Sequence, residues 1–260
     1  MKQVSSHISE QGIATLTLCR PEKHNAFDDQ IIAELQHCCE NLAKNAAVRV
    51  VILASEGSNF SAGADLAWMK RMADYDYGHN MKDAEALAGL LQTLYQLPQP
   101  TIARVQGAAF GGAVGLVSCC DMAIASENAS FALSEVKIGL IPATISPYVI
   151  RAIGERASRR YFISAERFDA VEALRLGLVS EVVPEASLDE RVSQLASTIC
   201  ANGPLAIRAA KDLINSVAGQ PLSKELIADS CARIAHIRVS PEGQEGLDAF
   251  LNKRKANWLE

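Results

Sequence analysis

Two short stretches of this 260-residue chain are suited to do chemistry with the backbone rather than with side chains. The run VQGAAFGGAVGLVSCCDMAIAS, residues 105–126, sets Gly107, Gly111, Gly112 and Gly115 among small apolar residues. Glycine inside a helix costs about 1 kcal/mol relative to alanine. Gly111, Gly112 and Gly115 therefore make a poor helix start unless the backbone itself has a task. The run follows a predicted strand and opens a predicted helix near Gly111. Unpaired N–H groups and the positive end of the helix dipole at such a point can hold an anion or a polarised oxygen, and glycine lets a ligand come close. The spacing matches neither a Walker loop nor the dinucleotide-binding pattern. Taken alone, it fits close packing of a helix on a sheet better than ligand binding. The stretch NFSAGADLAWMKRM, residues 59–72, shifts that balance. It places AGAD at a second strand-to-helix turn, with Asp65 a candidate N-cap. Two donor turns can converge on one oxygen, which is what an oxyanion hole requires.

The elements that must position these turns alternate in type. GIATLTLCRP alternates apolar and polar residues up to Pro21 and predicts a strand. DDQIIAELQHCCENLAKN predicts a helix capped by Asp28. VRVVILAS, PTIARV and DMAIAS predict buried strands, and ASFALSEV a further one. MKDAEALAGLLQTLYQLP predicts an amphipathic helix that ends before Pro98. From about residue 145 the pattern becomes largely helical, through SPYVIRAIG, RASRRYFIS, DAVEALRLGL, SLDERVSQLASTICAN, PLAIRAAKDLINSVAG and EGLDAFLNKRKANW, with only VSEVVP extended. The reading is an α/β architecture, with a core over residues 1–199 and a helical region over 200–260 that needs a surface to cover. No sequence repeat stands out.

Composition excludes several classes. Apolar residues make up 49% and charged residues 21%, an ordinary globular balance. A formal net charge of −5 argues against a nucleic-acid partner. Seven cysteines without a CxxC or Cys/His metal spacing suggest free, largely buried thiols in a reducing cytoplasm, and no metal site. MKQVSSHISEQG lacks the apolar core of a signal peptide. No apolar run reaches the length of a membrane span.

Taken in order, RPEKHNAF, FSAGADL, VQGAAFGGAVGL, CCDMAIAS and SEVKIGLIP resemble the crotonase, or enoyl-CoA hydratase/isomerase, superfamily over nearly the whole chain. EGLDAFLNKRKANW is similar to its ending. A narrower similarity, to the bacterial methylglutaconyl-CoA hydratase type, rests on SAGADLAWMKRMA, GAAFGGAVGLVSCCDMAI and IGLIPATISPYV. The resemblance implies a superhelix of ββα turns, and C-terminal helices that build a homotrimer or a dimer of trimers. It implies an acyl-CoA substrate that brings its own coenzyme A, with no further cofactor. By motif position, the backbone N–H groups of Ala64 and Gly112 would hold the thioester oxygen.

Glu135, before IGLIP, would be the acid/base residue, its pKa raised by burial. A second glutamate, usual in family hydratases, is absent, because Gly115 stands in its place. ATISPYV follows the IP, where family members often carry glycines. Ile145, Ser146, Pro147 and Tyr148 would reshape the acyl pocket, with Tyr148 a candidate donor. Lys23, His24 and Ala26 would meet the CoA nucleotide beside Ala62, Asp65 and Leu66. Phe250 and Lys253 would approach the CoA of a neighbouring subunit. The expected activity is hydration of an α,β-unsaturated enoyl-CoA with a branched or carboxylated acyl chain. Double-bond isomerisation by Glu135 alone is the first alternative, and a non-catalytic CoA-binding protein the second.

Overall fold

A computed structural model describes residues 3–259; Met1 and Lys2, which begin the segment read as lacking a signal peptide, lie outside the described residues. The chain opens with β1 (Val4–Ile8), β2 (Ile13–Leu18), α1 (Asp29–Lys44) and β3 (Val50–Ser55), followed by α2 (Leu66–Met72) and α3 (Tyr77–Tyr95). Next come β4 (Thr101–Val105), β5 (Ala108–Phe110), α4 (Gly112–Cys119), β6 (Met122–Ser126) and β7 (Ser130–Ala132). α5 (Ser146–Ser164), β8 (Arg167–Asp169), α6 (Ala170–Leu176), β9 (Glu181–Val183) and α7 (Leu188–Cys200) complete the sheets and their cover. α8 (Pro204–Val217), α9 (Lys224–Val239) and α10 (Pro241–Leu251) follow.

The α/β expectation holds. One sheet has the order β1-β2-β3-β4-β6-β9, parallel except for the β1–β2 pair. A small sheet, β5-β7-β8, stands beside it. β4 enters the large sheet, and β5, the small one, before α4; β6 and β7 repeat the move. After β3 the corresponding second strand shrinks to a single bridge, Ser61 to Ala109, before α2. This ββα repeat is geometric: its second strands are three residues or fewer, too short to leave a period in the sequence.

Local chemistry starts the helices where polarity predicts. Asp28 caps α1 by accepting from Ile31 N–H at 3.0 Å. Asp76 caps α3 and starts it four residues before the predicted Met81. SPYVIRAIG and RASRRYFIS form one helix interrupted at Gly154, whose φ is 77°. ASFALSEV is strand only over 130–132. Glu135 instead heads a 3-10 turn, Glu135–Ile138, closed by Gly139 with φ 77°. The C-terminal helix ends at Leu251, short of NKRKANW. The strands β1, β5 and β8 and the helix α9 are additions to the predicted set.

The main core lies between one face of the large sheet and α1, α3, α4 and α5; Phe60, Phe131, Leu16, Leu53, Leu91 and Leu94 are fully buried there. On the other face Val50, Ile52, Ile102 and Ile124 meet Leu188, Val192 and Ala196 of α7. The C-terminal helices dock through polar groups. Arg49 donates to the carbonyls of Cys200 and Asn202, and Arg208 to that of Val48. Lys211 reaches Asp121 at 2.6 Å and the Gln99 carbonyl at 3.1 Å.

Candidate active site

Three chain segments run side by side here. Ser61 N–H donates to Ala108 O at 2.9 Å, and Phe110 N–H donates back to Ser61 O at 3.0 Å. On the other side, Phe27 N–H donates to Gly63 O at 2.9 Å and Asp65 N–H to Phe27 O at 3.0 Å. In that parallel bridge the N–H of Ala64 itself points away from Phe27. Gly112 is the first residue of α4, so its N–H has no intrahelical acceptor. Among the described residues, turn and cap hydrogen bonds engage the N–H groups of Gly63, Asp65 and Gly111 but not those of Ala64 or Gly112. Two adjacent turns thus each leave one N–H group available, and such a pair can hold a carbonyl oxygen as charge builds on it.

The glycines there are needed for fit. Gly111 sits at φ 54° and ψ −121°, and a Cβ on it would lie 3.1 Å from Glu135 Oε1. A Cβ on Gly112 would lie 2.5 Å from Phe27 Cζ. Gly63, at φ 92°, would press on the Phe110 carbonyl.

Glu135 therefore lies against the start of α4. It is half-buried, and its Oε2 is buried with no hydrogen-bond partner. Burial pushes its pKa above the ordinary carboxylate range, only partly offset by its own backbone N–H. An unpartnered, desolvated carboxylate beside two free N–H groups can exchange a proton with a group held between them.

Asp65 is the contrasting carboxylate. Only 4% exposed, it caps α2 by accepting from Ala67 N–H at 2.7 Å and Trp68 N–H at 3.3 Å. It also pairs with Arg20 at 3.0 Å and with Lys23 at 3.4 Å. Burial pulls its pKa up, but the two N–H groups and Lys23 outweigh this and hold it below the usual range. The N-cap role is thus present. The side chain is turned into the protein, so a substrate contact at this position falls to the main chain.

Lys23, His24 and Ala26 lie on the same loop as the Asp65 pairing. Ala62 N–H donates to His24 O at 2.9 Å, and Asn59 Nδ2 lies 3.1 Å from His24 Nδ1. Ala62 and Leu66 are exposed at the edge of the turn. The loop carries two successive residues in the left-handed region, His24 and Asn25, both at φ 52°. Asn25 holds it there: Oδ1 accepts from Arg20 N–H, and Nδ2 donates to Glu56 O at 2.7 Å and Asn59 O at 2.9 Å. Asn59 Oδ1 in turn accepts from Ala108 N–H at 2.9 Å. Arg20, Asn25 and Asn59 join the loop of residues 23–26 to both donor turns, and residue-type reasoning passed over all three. Their signal was weak but present, since an asparagine inside HNAF suggests a left-handed turn.

The Tyr148 ring is 5.3 Å from that of Tyr95, in a cleft of about 340 Å³ lined also by Cys119, Arg151 and Ile214. Phe250 is 81% exposed on α10, which packs on α8 and α9, and Lys253 follows that helix at φ 54°.

Gly115 explains itself in space. A Cβ there would fall 2.8 Å from Ile145 Cβ and 3.5 Å from Leu91 Cδ2. Ile145, 2% exposed, fills the room that a side chain at 115 would take. Among the described residues no group of three or more His, Cys, Asp or Glu side chains is arranged to hold a metal ion.

Comparison with known proteins gives the family. The enoyl-CoA hydratase/isomerase family model matches residues 9–260. An enoyl-CoA hydratase from Shewanella pealeana, solved by crystallography, superposes with a TM-score of 0.95 at 46% identity, covering 99% of this chain and 96% of that one. The 2,3-dehydroadipyl-CoA hydratase of Escherichia coli is 32% identical over 94% of both chains. The crotonyl-CoA hydratase of Syntrophomonas wolfei is 30% identical over 96% of this chain and 95% of its own.

Proposed function

The chain belongs to the enoyl-CoA hydratase/isomerase family, and on that premise we propose that it hydrates an α,β-unsaturated enoyl-CoA thioester. The observation that carries this is Glu135, its Oε2 buried and unpartnered, beside the two turns with free N–H groups. Ala64 and Gly112 N–H would hold the thioester oxygen. Glu135 would take a proton from water as the hydroxyl adds to C3 and charge moves onto that oxygen. The protonated Glu135 then returns the proton to C2 as the enolate collapses. The sum is one water added across the double bond, and the carboxylate is regenerated. No cofactor beyond the substrate's own coenzyme A enters these steps. Removing one oxyanion donor in a protease costs about 2.7–4 kcal/mol of barrier, so two backbone donors can supply much of the acceleration.

A branched or carboxylated acyl group, as in methylglutaconyl-CoA, is the finer reading, and the sequence motifs around residues 61–73 and 139–149 support it. One observation favours the rival, isomerisation. The place where a second carboxylate would stand is filled by Ile145, and a single carboxylate suffices to carry a proton from C2 to C4.

Self-association fits the C-terminal helices. Lys211 is the one buried residue of α8, while Leu205, Ile214, Ile227, Ile234 and Val239 are exposed along α8 and α9. A trimer, or a dimer of trimers, would cover them and bring Phe250 and Lys253 toward a neighbour's CoA. Among the described residues no helix is long and apolar enough to cross a membrane.

The test is a reaction in deuterium oxide followed by NMR, with 3-methylglutaconyl-CoA and a straight-chain 3-enoyl-CoA. A tertiary 3-hydroxy product from the first supports the hydratase. A shifted double bond without a hydroxyl, and only from the second, makes the protein an isomerase. No turnover of either moves the reading to another acyl chain or to a CoA-binding protein.

A further inference from the structure

Gly111 is the N-cap of α4, and Gly115 lies four residues on, about one helical pitch further along the helix. Glu135 packs against 111, while Ile145 and Leu91 pack against 115. Ile145 and Leu91 therefore lie about one helical turn along α4 from the point where Glu135 packs. Ile145 is also firmly placed. It heads α5, with its carbonyl accepting from the N–H groups of Tyr148 and Val149 at 3.1 Å each.

We propose that Ile145 is the specificity-determining residue of the site: its side chain, set into the space left by Gly115, fixes the depth available to the acyl group below Glu135. The inference rests on the reading that Ala64 and Gly112 hold the thioester and Glu135 moves the proton. The physical argument is volume. A close-packed floor leaves no room for an extra methylene without displacing a side chain. One methylene in an apolar pocket changes preference by about 10–200-fold. Shortening Ile145 should therefore admit longer or bulkier acyl groups and leave the nucleotide end untouched.

The experiment measures binding directly, by calorimetry, with free CoA, butanoyl-CoA and hexanoyl-CoA. These saturated thioesters cannot react, so the result does not depend on turnover. The proteins are wild type, Ile145→Val and Ile145→Ala. The expected result is an unchanged Kd for CoA and a shift of preference toward hexanoyl-CoA by about tenfold in Ile145→Ala. Ile145→Val, which is expected to fold in any case, should show a smaller shift in the same direction. A preference within twofold of wild type in both variants, with CoA affinity kept, overturns the proposal. Gly115→Ala adds an independent check: it should lower Tm in the wild type and do so less in the Ile145→Ala background. Equal losses in the two backgrounds also overturn the proposal, since they mean that Ile145 does not occupy that space. Failure of the underlying catalytic reading looks different. It appears as turnover that survives Glu135→Gln, while the affinity comparison stands.

Discussion

Two carboxylates stand within one site, and their surroundings are opposite. Asp65 joins the loop of residues 20–26 to α2, with two N–H groups, Arg20 and Lys23 all directed at it. Glu135 heads a single 3-10 turn and leaves one oxygen buried without a partner. The same cost, burial, acts on both. In Asp65 donors outweigh it and the pKa falls; in Glu135 it dominates and the pKa rises. A satisfied carboxylate holds structure in place, whereas an unsatisfied one is ready to take a proton.

The comparison breaks most visibly at Glu135. Glu135→Gln should reduce kcat by about 10²–10⁴, with Kd for CoA preserved and Tm no lower than that of wild type. Steady-state kinetics beside a melting curve decides it, and a kcat within threefold of wild type removes Glu135 from the mechanism.

Asp65→Ala should show the reverse pattern, a loss of stability. It strips α2 of its cap and leaves the buried Arg20 with Asp28 as its remaining ion-pair partner. The expected loss is about 3 kcal/mol, read from urea unfolding. A change below about 0.5 kcal/mol would mean that the Arg20–Asp65 pair is dispensable.

pH sharpens the contrast, with opposite signs. The native pKa of Glu135 is raised, so its burial costs stability above the unfolded carboxylate pKa and costs nothing below it. Glu135→Gln should thus be more stable than wild type near neutrality, and the gap should close as pH falls through the carboxylate range. The native pKa of Asp65 is lowered, so its contribution is present above the unfolded pKa and lost as pH falls through its own. kcat/KM should rise with pH through an apparent pKa above that of an ordinary glutamate, as expected for a base that must be ionised. A flat profile there contradicts a base role.

The smallest effect belongs to Lys23, whose side chain is about half exposed where it meets Asp65. Lys23→Ala should change stability by no more than about 1 kcal/mol while weakening CoA binding. An unchanged Kd for CoA would detach this lysine from the nucleotide.

Much of this was legible along the chain. The buried strands, the capped helix after Asp28 and the helix start near Gly111 follow from local rules of period and capping. Other elements left little local trace. β1, VSSHI, is an edge strand with one buried residue. β5 and β8 are three residues long and owe their pairing with β7 to chain segments far away in sequence. α9 buries no residue, so no apolar stripe marks it. In the site, the two glycine turns and Glu135 could be named from motif order. The cradle of Arg20, Asn25 and Asn59 could not, because each acts through partners about 5 to 49 residues away.

The sequence alone determined the α/β class, the two donor turns, a carboxylate before the IGLIP loop and the lack of a carboxylate at 115. Those follow from residue type and short-range spacing, which the local backbone obeys. Only the tertiary structure decided that Asp65 is satisfied while Glu135 is not, that the Tyr148 ring lies against Tyr95, and that Ile145 occupies the space at Gly115. Burial and partnering depend on which distant segments pack together, and hence the pKa directions and the pocket floor do as well.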